Sequence, residues 1–190
     1  MYEVELKAVL KNIERTITAI ETFEIISKEE VIYNSIYFDI DNKLTVDHKE
    51  LRLRIIRDPK FETIKNVLTY KDPPFDIFSR SKPEVEIEIS SSADGIEILK
   101  NLGFQIMLRF EKKCTNIILL HQETELFITI AYVSELEQSF IEVESPTENL
   151  QDIDHRFNIV RDFLTQIGIK DEDLTNEYYT EAIIKKRSHE

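Results

Sequence analysis

The chain is poor in the residues that interrupt regular structure. It has three glycines and five prolines in 190 residues, which favours long strands and helices over a loop-rich fold. Its single cysteine, Cys114, excludes an intrachain disulfide framework and fits a reducing compartment. No apolar run approaches the roughly 20 residues of a membrane-spanning helix. The N-terminal stretch is charged and strand-like where a signal peptide would carry an apolar core. A cytoplasmic setting with no membrane partner is therefore expected. Positive charge is scarce as well: 24 Lys and Arg stand against 37 Asp and Glu, a net charge of −13. That balance argues against nucleic acid as a partner. It leaves an anionic small molecule open, because a basic cleft can sit inside an acidic exterior. The phosphate-binding patterns Gly-x-x-x-x-Gly-Lys and Gly-x-Gly-x-x-Gly are missing. His48, His121, His155 and His189 lack the spacing of zinc ligands and read as surface residues.

The hydrophobic share of 42 % supports a real core, and the length fits one domain spanning residues 1–190. Within it, charge alternates with aliphatics. Glu3, Glu5 and Lys7 interleave with Val4, Leu6 and Ala8, so on a strand the charges share one face. One such strand is ordinary at a wet surface. Its repetition is not: Arg52 and Arg54, Arg80 through Glu88, and Glu142 with Glu144 follow the same pattern. Several strands of this kind suggest a closed sheet with a polar lumen. Carboxylates suit Mg²⁺ or Mn²⁺, and Arg and Lys suit phosphate oxygens. Together inside one barrel they would bind a metal–polyphosphate complex.

Periodicity predicts a helix over Lys11–Ile26 and a strand over Asn34–Ile40, then a short strand at Leu44–Asp47. Further strands are predicted at Leu51–Arg57, Asn66–Lys71 and Lys82–Ser90. A helix over Ala93–Leu102 is stopped by Gly103. Strands at Met107–Lys113 and Asn116–Leu120, either separate or continuous, precede Leu126–Val133 and Ser139–Glu144. Helices at Asp152–Ile167 and Asp173–Lys186 close the chain.

Glu3-Val-Glu5-Leu-Lys7 resembles the Glu-x-Glu-x-Lys signature of the CYTH superfamily, the class IV adenylyl cyclases and thiamine triphosphatases. The resemblance extends in order through Tyr37-Phe38-Asp39, Leu51-Arg52-Leu53-Arg54, Leu68-Thr69-Tyr70-Lys71, the Glu84/Glu86 strand, Leu102-Gly103-Phe104, Phe140 to Glu144, and Tyr178. Glu-Val-Glu-Leu-Lys and Thr-Tyr-Lys look most like the cyclase branch. The resemblance implies an α+β fold: an eight-stranded antiparallel β-barrel, the triphosphate tunnel, with helices packed outside. It implies Mg²⁺ or Mn²⁺ as cofactor and ATP, thiamine triphosphate or tripolyphosphate as small-molecule partner, with the assembly open between monomer and homodimer.

Carried over residue by residue, Lys7, Arg52, Arg54, Lys71, Arg80, Lys82, Arg109, Lys112 and Lys113 are the triphosphate-binding candidates, with Lys7, Arg54 and Lys71 assigned to catalysis. Arg80 and Lys82 compete for one basic position, and Arg109, Lys112 and Lys113 for another. Glu3, Glu5, Glu84, Glu86, Glu142 and Glu144 are the candidate metal ligands. The implied activity is cyclisation of ATP to cyclic AMP and pyrophosphate. The alternatives are hydrolysis of an inorganic or organic triphosphate, or a binding module that has lost turnover. One departure bears on this choice. The family commonly places a metal-assisting Asp where this chain has Ala131, so weaker metal binding is expected unless Glu135 substitutes.

Overall fold

The computed structural model describes residues 2–74 and 82–189, apart from the side chain of Glu3; Arg80 lies outside the described residues. Among the described residues, nine strand segments form one antiparallel sheet. They are β1 (Tyr2–Glu3), β2 (Glu5–Leu10), β3 (Glu24–Asp39), β4 (Glu50–Asp58), β5 (Thr63–Lys71), β6 (Lys82–Ile89), β7 (Gln105–His121), β8 (Thr124–Val133) and β9 (Gln138–Glu144). Their spatial order is β1-β6-β5-β4-β3-β7-β8-β9-β2. The two ends of that order are consecutive pieces of one N-terminal strand, so the strands number eight and the sheet curls into a tunnel. The seam is short. Glu5–Leu10 runs along β9 over six pairs, whereas β6 is met, among the described residues, at Tyr2↔Pro83 and Glu3↔Lys82.

Period-2 alternation divides each strand between the lumen and an outer shell. Outside, Leu6, Ala8, Ile117, Leu119, Leu126, Ile128, Ile141 and Val143 form one core with Ile20 of α1 (Ile13–Ile20) and with Ile159, Val160, Phe163 and Leu164 of α4 (Ile153–Gln166). A second outer core joins Ile36, Phe38, Leu51 and Leu53 to Leu99 of α3 (Ser92–Asn101). Inside, α5 (Tyr179–Arg187) packs Tyr179 and Ile183 against Tyr37, Leu108, Phe110, Val133 and Phe140. Val31, Tyr33, Cys114 and Ala131 make a further apolar cluster on the inner face.

Four local expectations are corrected. The first helix ends at Ile20, and Glu24–Glu30 begins β3 instead. Fifteen register pairs with β7 hold that 16-residue strand, so sheet pairing overrides the helix-like spacing that Phe23 and Ile25 continue. Leu44–Asp47 is not a strand; Lys43–Val46 forms a helical turn, α2. The buried Asp39 carboxylate organises it, accepting from Leu44 N and Thr45 N at 3.0 Å each. The last helix starts at Tyr179 rather than Asp173. Before it, Leu174 bridges Ala8 and Thr175 N donates to the Lys7 carbonyl at 2.9 Å, so this extended segment covers backbone groups on the outer edge of β2. His121 is buried rather than at the surface. It reaches Asp162 at 3.0 Å between the rings of Phe23 and Phe163. The two strands predicted at Met107–Lys113 and Asn116–Leu120 are continuous as β7, and Gly103 and Gly168 end α3 and α4 with φ of 95° and 85°.

Candidate active site

The lumen holds a cavity of about 560 Å³. Lys7 of β2, Arg52 and Arg54 of β4, Lys71 of β5, Lys82 of β6 and Lys112 of β7 line it. Glu5, Glu50, Glu84, Glu86, Glu142 and Glu144 line it too. The strand register explains the convergence. Arg52 stands opposite Tyr37 and Thr69, Lys71 opposite Glu50 and Glu84, and Glu142 opposite Lys7 and Thr129. Among the described residues, then, six cations face six carboxylates.

These groups are held in place by one another. Lys112 Nζ lies 3.2 Å from Glu142, Lys71 Nζ 3.0 Å from Glu84, and Arg52 3.6 Å from Glu50. Thr69 Oγ1 donates to Glu86 at 3.0 Å. Lys7 is only 3 % exposed and Lys112 4 %. Burial would push the Glu142 carboxyl up, but the Lys112 and Lys7 charges outweigh it and hold the group at about 2. Burial opposes ionisation of Glu50 in the same way, and Arg52, Lys82, Lys71 and Arg54 hold its carboxyl below the usual range. Glu142 and Glu50 are therefore ionised at neutral pH, beside the buried cations that hold them so.

Two guanidinium nitrogens, Nε of Arg52 and of Arg54, are buried without a hydrogen-bond partner among the described residues. A buried donor in that state calls for an acceptor. The Arg54 guanidinium also lies 4.5 Å from the Tyr33 ring centroid. Aromatic rings of the C-terminal segment meet three lysines. Tyr179 lies 4.3 Å from Lys7 Nζ and 4.4 Å from Lys112 Nζ, and Tyr178 lies 5.4 Å from Lys82 Nζ. Lys7 also donates to the carbonyl of Glu177.

Of the cations predicted from sequence, Lys7, Arg52, Arg54, Lys71, Lys82 and Lys112 are brought together. Arg109 and Lys113 are not: both are exposed, and Lys112 is the member of that trio on the lumen face. Of the acids, Glu5, Glu84, Glu86, Glu142 and Glu144 line the cavity; Glu3 is described only by its backbone, opposite Lys82. Ala131 is fully buried in the apolar inner cluster. Glu135 does not replace an acid there, since it pairs with Arg187 at 2.8 Å at the end of α5. Glu50, Tyr37, Phe127, Pro146, Tyr179 and Thr180 also line the cavity and were missed. Glu50 was findable, because it shares the i, i+2, i+4 face of Arg52 and Arg54. Tyr179 carries no signal of its own beyond the Tyr178–Tyr179 doublet.

A resident divalent ion can be tested against these donors. Glu5 and Glu144 are direct cross-strand neighbours facing the lumen, a like-charge pair that a cation would relieve. Among the described residues no three His, Cys, Asp or Glu side chains gather into a cage. Mg²⁺ commonly takes one or two carboxylates and fills its shell with water and substrate phosphates, so the donor set fits such an ion.

The CYTH domain family model matches residues 1–179, and the chain belongs to that family. Its members are adenylyl cyclase-like or triphosphatase enzymes, generally dependent on a divalent metal. Among solved structures, a protein from Pyrococcus horikoshii matches with a TM-score of 0.81 and 28 % identity over 97 % of this chain and 99 % of its own. A Vibrio parahaemolyticus protein provisionally named an adenylate cyclase matches with a TM-score of 0.81 and 19 % identity over 97 % and 98 %. A Hippeastrum protein, named as an adenylyl cyclase candidate with a dominant triphosphatase activity, matches with a TM-score of 0.64 and 15 % identity over 97 % and 95 %. The last two likenesses carry the fold alone. No curated protein sequence matches the chain. Among the described residues no helix is long and apolar enough to cross a membrane.

Proposed function

We propose that the chain is a divalent-metal-dependent enzyme acting on a triphosphate bound in the tunnel, most like a class IV adenylyl cyclase that converts ATP to cyclic AMP and pyrophosphate. The observation that carries the reading is the convergence of Lys7, Arg52, Arg54, Lys71, Lys82 and Lys112 on one cavity within a chain of net charge −13. Arg52 and Arg54 present planar forks that match phosphate oxygens, and their partnerless Nε atoms are satisfied by such a ligand. Lys7, Lys71, Lys82 and Lys112 add point charges from four other strands, so a chain of phosphates is held along its length and its reacting bond is oriented.

The six carboxylates offset the six cations. A polyanion entering such a cavity needs positive charge to arrive with it, which supports the metal requirement. Glu5 and Glu144 would hold Mg²⁺ or Mn²⁺, with Glu142, Glu84 and Glu86 near it. When bound, the ion supplies Lewis-acid polarisation of the phosphoryl oxygens and charge neutralisation. Glu142 and Glu84, paired with Lys112 and Lys71, keep those ammonium groups aimed across the lumen.

A second reading is a triphosphatase acting on tripolyphosphate or thiamine triphosphate. The residues assigned above recognise phosphates rather than a base or a ribose, which favours it. The test is incubation with ATP, thiamine triphosphate and tripolyphosphate, each with Mg²⁺ or Mn²⁺, followed by product identification. Cyclic nucleotide with pyrophosphate supports the cyclase, and orthophosphate with the shortened substrate supports the hydrolase. Binding without product from any of the three leaves a turnover-deficient binding module.

A further inference from the structure

We propose that a second cavity, beside α5, is a binding site for a small amphipathic anion: an apolar body carrying one carboxylate, sulfonate or sulfate group. The proposal stands apart from the triphosphate reading, because the phosphate-facing cations of the lumen do not line this cavity.

The cavity measures about 320 Å³, which falls within the range of small-molecule sites. Its floor is apolar. Val9 of β2, Phe140 of β9 and Leu136 supply it. These side chains join the cluster that holds Tyr179 and Ile183, so the floor is fixed by the core. One wall is α5 and the turn that follows it. Ala182, Lys185, Lys186 and His189 line this wall, and their i, i+3, i+4, i+7 spacing puts them on one face. Ala182 is the small member of that face, and the space opens where a longer side chain would have filled it.

The rim is basic, on a chain whose net charge is −13. Lys185 is exposed and makes no ion pair among the described residues. Lys186 Nζ donates to the Glu135 carbonyl at 2.7 Å, a neutral acceptor that holds the ammonium without cancelling its charge. The Glu135 carboxylate is spent on Arg187. Glu177 is the one carboxylate in the lining among the described residues, and it stands against two ammonium groups. An occupant that satisfies both surfaces needs an apolar body for the floor and a negative head for the rim. A neutral hydrocarbon leaves the cations unmatched, and bare phosphate leaves the floor facing water. Tyr178 and Tyr179 line this cavity and the lumen alike, so the two sites share a wall and a test has to tell them apart.

The probe is 8-anilinonaphthalene-1-sulfonate, an aromatic anion whose fluorescence rises in apolar surroundings. The folded parent at neutral pH is expected to bind the dye at a single saturable site, whether or not tripolyphosphate and Mg²⁺ are present in excess. Decanoate should displace the dye, and decanol at the same concentration should not. Ala182→Trp, which fills the space above the floor, should remove the dye signal. Lys185→Glu, which reverses one rim charge, should weaken dye binding roughly two- to fivefold. Thermal unfolding confirms that each variant is folded, and Lys185→Glu decides alone should Ala182→Trp fail to fold. Dye released by tripolyphosphate was bound in the lumen, and that result overturns the proposal. A folded parent that binds no dye overturns it too, as does unchanged binding in folded Ala182→Trp. Unchanged binding in Lys185→Glu, or decanol competing as well as decanoate, overturns the assignment to an anion.

Discussion

At the residue scale, the basic set is where the tunnel is most exposed to test. Arg54 offers a buried guanidinium with an unsatisfied Nε, so Arg54→Ala should weaken tripolyphosphate binding by about 1.5–3 kcal/mol, the worth of one charge-assisted hydrogen bond. Calorimetry on the folded variant checks it, and an unchanged affinity removes Arg54 from the site. Glu142 gives a pH signature. Its ordinary value is 4.5 and the folded protein holds it at about 2, so the unfolded chain binds the proton more readily. The stability it contributes is complete above 4.5 and is lost as the pH falls towards 2. Glu142→Gln should therefore trail the parent most above pH 4.5, with the gap closing towards pH 2, as read by urea denaturation at stepped pH. A gap that does not narrow on acidification would show that the carboxylate contributes nothing through its ionisation.

At the element scale, regular strands were legible and pairing-dependent ones were not. The alternating runs that became β4, β5, β6 and β9 announce themselves because their two faces differ in chemistry. With the run that became β2, they carry Lys7, Arg52, Arg54 and Lys71 to one cavity. The first half of β3 did not, since Ser27–Glu30 has charge on both faces and is a strand only because β7 lies beside it. The trio Arg109, Lys112 and Lys113 stayed ambiguous for a related reason: adjacent charges on one strand need a known register before a face can be chosen. Register also fixes what surrounds position 131. Ala131 stands opposite Cys114 and Phe140 and packs with Val31 and Tyr33 at zero exposure. Ala131→Asp should then destabilise the fold by roughly 1–3 kcal/mol, the desolvation penalty of a polar group without a partner, rather than restore metal affinity. Denaturant melts and a metal titration on the same variant distinguish the two. On α5, Ile183 is fully buried among Phe110, Phe140 and Tyr179. Ile183→Ala should cost about 2–5 kcal/mol of stability, measurable as a lowered urea midpoint.

At the scale of the whole molecule, an acidic chain keeps its opposing charges inside a curled sheet, so a ligand that satisfies them should be felt globally. Tripolyphosphate at 100 times its dissociation constant should stabilise the protein by about 2.7 kcal/mol, which at this chain length raises Tm by roughly 5–10 °C. A scan with Mg²⁺ and tripolyphosphate tests it, and a melting point that ignores both would remove the tunnel as a binding site. The seam has a different consequence, one of time rather than energy. The strand at residues 2–10 finds its partners at Lys82–Pro83 and at Ser139–Glu144. During synthesis it emerges before either partner, and its long ladder cannot form until more than 130 further residues have followed. Contacts so distant along the chain are slow to form, and until then Glu5–Leu10 is an unpaired edge with an aliphatic face, the kind of surface on which newly made β-proteins associate wrongly. Assembly of the tunnel therefore waits on one late event, the capture of the oldest strand by two of the newer ones.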